Sequence, residues 1–137
     1  MKRREDWRSR LYSYLDSVRD IPFQYGVQDC ALFTASCVEA QTGEDPASDF
    51  RGRYTTELGG LRKIRAAGFD DQRDFVAKTF HEITDVVYTQ VGDIVILNEG
   101  PLGLCVGDRV AAVGEEGIYF VSLDDIQRAF SIEGGRE

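Results

Sequence analysis

The chain has 137 residues, 42% hydrophobic and 29% charged, a balance that fits one compact soluble domain with a core of its own. Twenty-four acidic against 16 basic residues leave a formal net charge of −8, which repels a phosphate backbone and argues against nucleic acid as a partner. No stretch approaches the roughly 18 to 20 apolar residues of a membrane span, and "MKRREDWRSRLYSYL" lacks the apolar segment of a secretory signal, so cytoplasmic synthesis without a membrane partner is expected.

From Glu5 to Val18 the apolar residues Trp7, Leu11, Tyr14, Leu15 and Val18 recur at helical spacing and predict a first amphipathic helix, stopped by Pro22. Its basic start, Lys2, Arg3, Arg4, Arg8 and Arg10, reads as a solvated face. "IPFQYG" is an extended connector, and Asp29 is placed to cap a second helix through "CALFTASCVEAQTG" that Gly43 terminates. Cys30, Phe33, Cys37 and Ala40 form one stripe of that helix, with Leu32 and Val38 beside it.

"EDPASDFRGRYTT" is turn-rich, and Thr56 opens a third helix that ends at Gly68. Gly59 and Gly60 weaken this helix, which points to close packing against a neighbouring backbone. "DDQRDFVAKTFHEI" holds a short fourth helix. After about Thr84 the pattern changes to short β-rich segments broken by glycine turns: "VGDIVILN", "PLGLCVG", "RVAAVG" and "GIYFVSL". Ser122, Asp124 and Asp125 then begin a brief helical turn through Phe130, and "FSI" adds a last edge strand. The order predicts one α+β domain over residues 1–137, with N-terminal helices packed on a small antiparallel C-terminal sheet or partial barrel.

Three cysteines in a chain without an export signal argue for reduced thiols. On one helix Cys30 and Cys37 would lie about 10 Å apart, too far for a bridge. One histidine and no Cys-x-x-Cys pair give no zinc site, and no metal or cofactor is expected. Cys30, directly after the predicted cap Asp29, is the candidate nucleophile, because uncompensated N–H groups at a helix start favour a thiolate. Against this stands the ordinary role of a free cysteine as a small buried hydrophobe, the role assigned to Cys37 and Cys105. Arg51 and Arg53 of "DFRGRY" could grip a carboxylate or phosphate, although arginines in a turn commonly pair with a local acid such as Asp49. Trp7, Phe23 and Tyr25 read as core.

Taken together, "YGVQDCALF" and the Gly92-Asp93 pair of "VGDIVIL" resemble the NlpC-type branch of the papain-like cysteine peptidases. In that family an aromatic-Gly-x-x-Asp-Cys segment opens the helix bearing the nucleophile, and Gly-Asp starts the sheet. The resemblance implies a papain-like fold, Cys30 as nucleophile, Tyr25, Asp29 and Asp93 at the site, and peptidoglycan peptides as substrate. Over nearly its whole length, through "DFRGRYTT", the following Gly-Gly-Leu and "LGLCVG", the chain also resembles uncharacterised phage and prophage proteins encoded near tail genes. That likeness implies tail proteins as partners and association with the virion.

The family's catalytic histidine and its polar orienting residue align with Pro101 and Ala112, neither of which can take or hold a proton. His81 of "KTFHEI" is the chain's single imidazole and the weaker candidate base. Three functions follow as expectations: a tail-associated protein with a degenerate peptidase fold that binds without hydrolysing; an active thiol peptidase or amidase using Cys30; and an adaptor working through its acidic surface or basic start.

Overall fold

The computed structural model describes residues 1–134, so the last three residues of the expected 1–137 domain lie outside the described residues. Four helices, α1 (Trp7–Ser17), α2 (Cys30–Thr42), α3 (Glu57–Ala66) and α4 (Gln72–Thr79), precede six strands. These are β1 (His81–Ile83), β2 (Ile94–Leu97), β3 (Leu102–Cys105), β4 (Arg109–Gly114), β5 (Gly117–Ser122) and β6 (Ile126–Ser131). All pairings are antiparallel, in the order β1-β6-β2-β3-β4-β5. The α+β class and the helices-then-sheet order follow the sequence. Among the described residues no helix is long and apolar enough to cross a membrane.

The central helix is α2. Its start is fixed by Asp29, whose Oδ1 accepts the Leu32 N–H at 2.9 Å, and its end by Gly43, in the left-handed region at φ 85° with its N–H on the Glu39 carbonyl. Burial is broader than the predicted stripe and takes in Thr34, Ala35, Ser36 and Gln41 as well. The reason is tertiary: α1 packs on one side of α2, and β3 and β4 on another. Leu11 of α1, Phe33 and Cys37 of α2, Leu104 of β3, and Ala111 and Val113 of β4 share one core cluster.

The basic start is not wholly a solvated face. Only 9% of the Arg3 side chain is exposed, because its guanidinium bonds Gln41 Oε1 at 2.7 Å, lies 3.7 Å from the buried Asp93 carboxylate and sits over the Trp7 ring. The first residues thereby tie the start of α1 to α2 and to the turn before β2.

Strand alternation sends neighbouring side chains of β2 into different clusters. Ile94 and Ile96 join Leu102, Phe130 and Val38 of α2, whereas Val95 and Leu97 join Ile83, Cys105, Val110, Ala112 and Ala129, all of them strand residues. The six-stranded antiparallel sheet is thus buried on both faces, Val38 of α2 joining the cluster on one and strand residues making up the cluster on the other.

Three boundaries differ from the sequence reading. The sheet begins at His81, three residues before the change of pattern at Thr84, with His81 in register with Ser131. The helical turn after Ser122 covers only Leu123–Asp125. "FSI" belongs to an interior strand, since β6 lies between β1 and β2 and buries Phe130 completely, which an edge position would not do. On α3 the close neighbours of the glycines are side chains and not a backbone: a Cβ at Gly60 would come within 2.9 Å of the Tyr54 ring, and one at Gly59 within 3.0 Å of the Thr56 hydroxyl.

Candidate functional site

A cleft of about 500 Å³ opens at the N-terminal end of α2, where α3, α4 and the turn before β3 converge. Its walls are mostly apolar, including Phe23, Leu61, Ile64, Phe75 and Leu102, and its polar lining includes Tyr25, Asp29, Cys30, Tyr54, Glu57 and Gln72. Tyr25 and Phe23, expected in the core, instead stand half-buried on this wall, their rings edge to face with centroids 4.8 Å apart. The connector turns at Gly26 and closes a Gln24–Gln28 bridge, so Tyr25 stays on the rim while Phe23 reaches the edge of the core cluster around Phe33.

Asp29 organises the cleft from below. Beyond capping α2, it accepts the Gly26 N–H at 3.0 Å and the Tyr54 hydroxyl through Oδ2, and it is 4% exposed. Burial, with the carboxylate as second cause, holds the Tyr54 phenol well above its ordinary range. Tyr54 is thus a fixed donor to Asp29, and its ring carries α3 through the contact with Gly60. At the rim, the Tyr25 hydroxyl donates to Glu57 at 3.3 Å. Burial first and Glu57 second raise the Tyr25 phenol too.

Cys30 lies at the first turn of α2 as the sequence predicts, and its thiol faces the cleft. The S–H donates to Gln72 Oε1, the first residue of α4, at 3.2 Å. Burial pushes the thiol up; the Leu102 amide and the Gln72 contact oppose this, while Asp29 reinforces it. The helix start therefore does not yield an activated thiolate, because the desolvation of a half-enclosed sulfur outweighs the favourable dipole end. Alkylation of Cys30 by iodoacetamide, mapped by peptide mass, tests this directly. A raised thiol keeps the thiolate fraction low through neutral pH, so the rate should climb only above the pH of about 8.5 where an ordinary thiol is half ionised. A midpoint well below that value would reveal an activated nucleophile.

The remaining expected site residues scatter. Pro101, the residue aligned with the family's histidine, does line the cleft with Cys30, whereas Ala112 packs in the strand-only cluster on the other sheet face. His81 stands exposed on β1 and does not line the cleft. Asp93 is fully buried beneath the start of β2, accepting the Gln90 N–H at 2.7 Å close to Arg3, away from the cleft lining. Arg51 grips Asp45, not the expected Asp49, through Nε at 2.9 Å and Nη2 at 3.2 Å, and holds the turn against the Leu32 carbonyl. Arg53 is exposed and outside the cleft lining.

Gln72 and Tyr54 were the site residues that sequence reasoning missed. Neither has a local signature: Gln72 is an unremarkable first residue of a short helix, and Tyr54 sits in a turn-rich stretch. The Thr56 cap before α3 was visible, and Asp71 caps α4 in the same way, each accepting an N–H three residues on. Among the described residues no group of three or more His, Cys, Asp or Glu is arranged to hold a metal ion.

Residues 2–132 match the family model described as a domain of unknown function, DUF6950. No curated protein matches the chain.

Proposed function

Since the chain belongs to the DUF6950 family, a domain of unknown function, its role rests on the chemistry of the cleft, and we propose that it is a phage or prophage tail-associated protein on a degenerate NlpC-like, papain-like framework. In this reading the cleft binds a segment of a tail protein or a wall peptide without hydrolysing it. One observation carries the proposal: the Cys30 proton is held by the carboxamide of Gln72, a group that can accept a hydrogen bond but cannot take the proton away. General-base assistance typically supplies about 10² to 10⁴-fold in rate, so a thiol in this setting lacks much of what a cysteine peptidase needs.

Further support comes from Pro101 on the cleft wall, at the position where the resemblance expects an imidazole. The resemblance to tail-region proteins supplies the biological setting, and the half-buried aromatics supply a surface suited to a peptide side chain.

Complementation tests the proposal. A phage lacking the gene should regain normal tails from a copy bearing Cys30→Ser, and should not from Leu61→Lys, which places a charge on the apolar cleft wall. Tail failure with a folded Cys30→Ser protein, together with Cys30-dependent cleavage of peptidoglycan peptides, would replace the binding role with the thiol peptidase.

A further inference from the structure

The opposite end of the sheet carries a second surface, independent of the cleft. Strand β5 is an outer strand, paired with β4 on one side only. Its Ile118 N–H turns away from β4 and donates to the Arg19 carbonyl at 2.9 Å. By the two-residue alternation of a strand, the backbone groups of Phe120 and Ser122 turn the same way, and among the described residues no hydrogen bond reaches their N–H groups. The connector after α1 therefore covers the first part of this edge and leaves the second part open.

Natural edge strands are commonly blunted by a lysine, a proline or a bulge. Here Gly117–Ser122 contains no charge and no proline, and Tyr119 and Phe120 are 43% and 45% exposed. Beside the edge on its helix side runs a groove of about 290 Å³ whose apolar lining includes Leu15, Val106, Ile118 and Phe120. Asp16 and Asp108 also line it. Glu115 and Glu116 form the turn before the strand, and Asp124 and Asp125 follow its end. Asp20 abuts Gly117. Of the two cations nearby, Arg19 is engaged by Asp16 and Asp20, and the Arg109 guanidinium lies 3.7 Å over the Phe120 ring.

We propose that the open edge of β5 is a docking site for an extended protein segment in which basic and apolar residues alternate, added to the sheet as a seventh antiparallel or parallel strand. Main-chain bonds to Phe120 and Ser122 supply the register, and alternate side chains fall on the groove and on Tyr119. The long aliphatic stem of a lysine or arginine fits the apolar floor while its head reaches the surrounding carboxylates. A second copy of this chain is the wrong occupant: antiparallel pairing of two β5 edges sets Glu115 and Glu116 of one against Asp124 and Asp125 of the other.

The full chain with a fluorescein-labelled peptide of four Lys-Val repeats tests the proposal, with four Glu-Val repeats as the control. The Lys-Val peptide should bind saturably, weaken with added salt, and slow amide exchange at Phe120 and Ser122 at least tenfold. Phe120→Pro, which removes an outward N–H, should abolish binding. Phe120→Lys keeps that N–H and adds a repelling charge, and should weaken binding about tenfold even if the proline variant fails to fold. The idea is overturned by absence of saturable binding, by equal binding of the Glu-Val peptide, by protection confined to the cleft, or by protection of Phe120 and Ser122 through self-association.

Discussion

Asp29→Ala should lower the unfolding free energy by about 3 kcal/mol or more in urea denaturation, one of the two largest single-residue effects expected outside the apolar core. One carboxylate serves three donors here: the Leu32 N–H at the start of α2, the Gly26 N–H and the Tyr54 hydroxyl. Loss of an N-cap alone costs about 1 kcal/mol. Each buried donor left without an acceptor adds roughly 1 to 3 kcal/mol, discounted where water can enter from the cleft. Asp29→Asn retains an acceptor for the cap and should cost markedly less, about 1 to 2 kcal/mol. Equal losses for the two variants would mean that charge, and not the number of acceptors, carries the effect.

The second large effect is steric. Gly26 sits at φ 80°, its N–H bonds Asp29, and its carbonyl accepts the Gly52 N–H at 2.9 Å. A Cβ there would overlap the Tyr54 carbonyl oxygen, a backbone atom that cannot swing aside. The left-handed conformation costs an L side chain roughly 1 to 2 kcal/mol and the overlap roughly 1 to 3 more, so Gly26→Ala should destabilise by about 2 to 5 kcal/mol. Because the displaced Tyr54 is also the partner of Asp29, combining Gly26→Ala with Tyr54→Phe should cost less than the sum of the single changes. Additive losses would place the strain of Gly26→Ala elsewhere than at Tyr54.

Both effects converge on the segment that roofs the cleft. Helix α3 has no fully buried residue, so beside the half-buried Leu61 and Ile64 its position depends on the Tyr54 ring under Gly60 and on the anchoring of that ring by Asp29. Weakening the anchor should therefore loosen the cleft wall before it disturbs the strands of the sheet. Amide exchange is the readout: in Tyr54→Phe, protection should fall across Glu57–Ala66 while β2 and β6 keep theirs.

The features legible in the sequence were those with a local cause. Helix starts at Asp29 and Thr56 depend on a side chain meeting an N–H three residues away, and the stop at Gly43 on a glycine's access to positive φ, so neighbours in the chain suffice to foresee them. Short β-rich runs broken by glycine turns likewise marked β2 to β5 as strands, and the order of helices before strands marked an α+β chain. The position of Cys30 at a helix start was determined in the same way.

What that position means was decided by tertiary structure alone. The state of the thiol depends on Gln72, 42 residues later in the chain, and on enclosure by α3, α4 and the turn before β3, none of which leaves a trace beside Cys30. The same holds for β6, whose apolar pattern fits an edge or an interior strand equally well. Only pairing with β1 and β2 settles it and buries Phe130. Local hydrogen bonds and periodicity are properties of neighbouring residues, whereas desolvation and strand order are properties of the assembled chain, and in this protein the chemistry of the cleft belongs to the second kind.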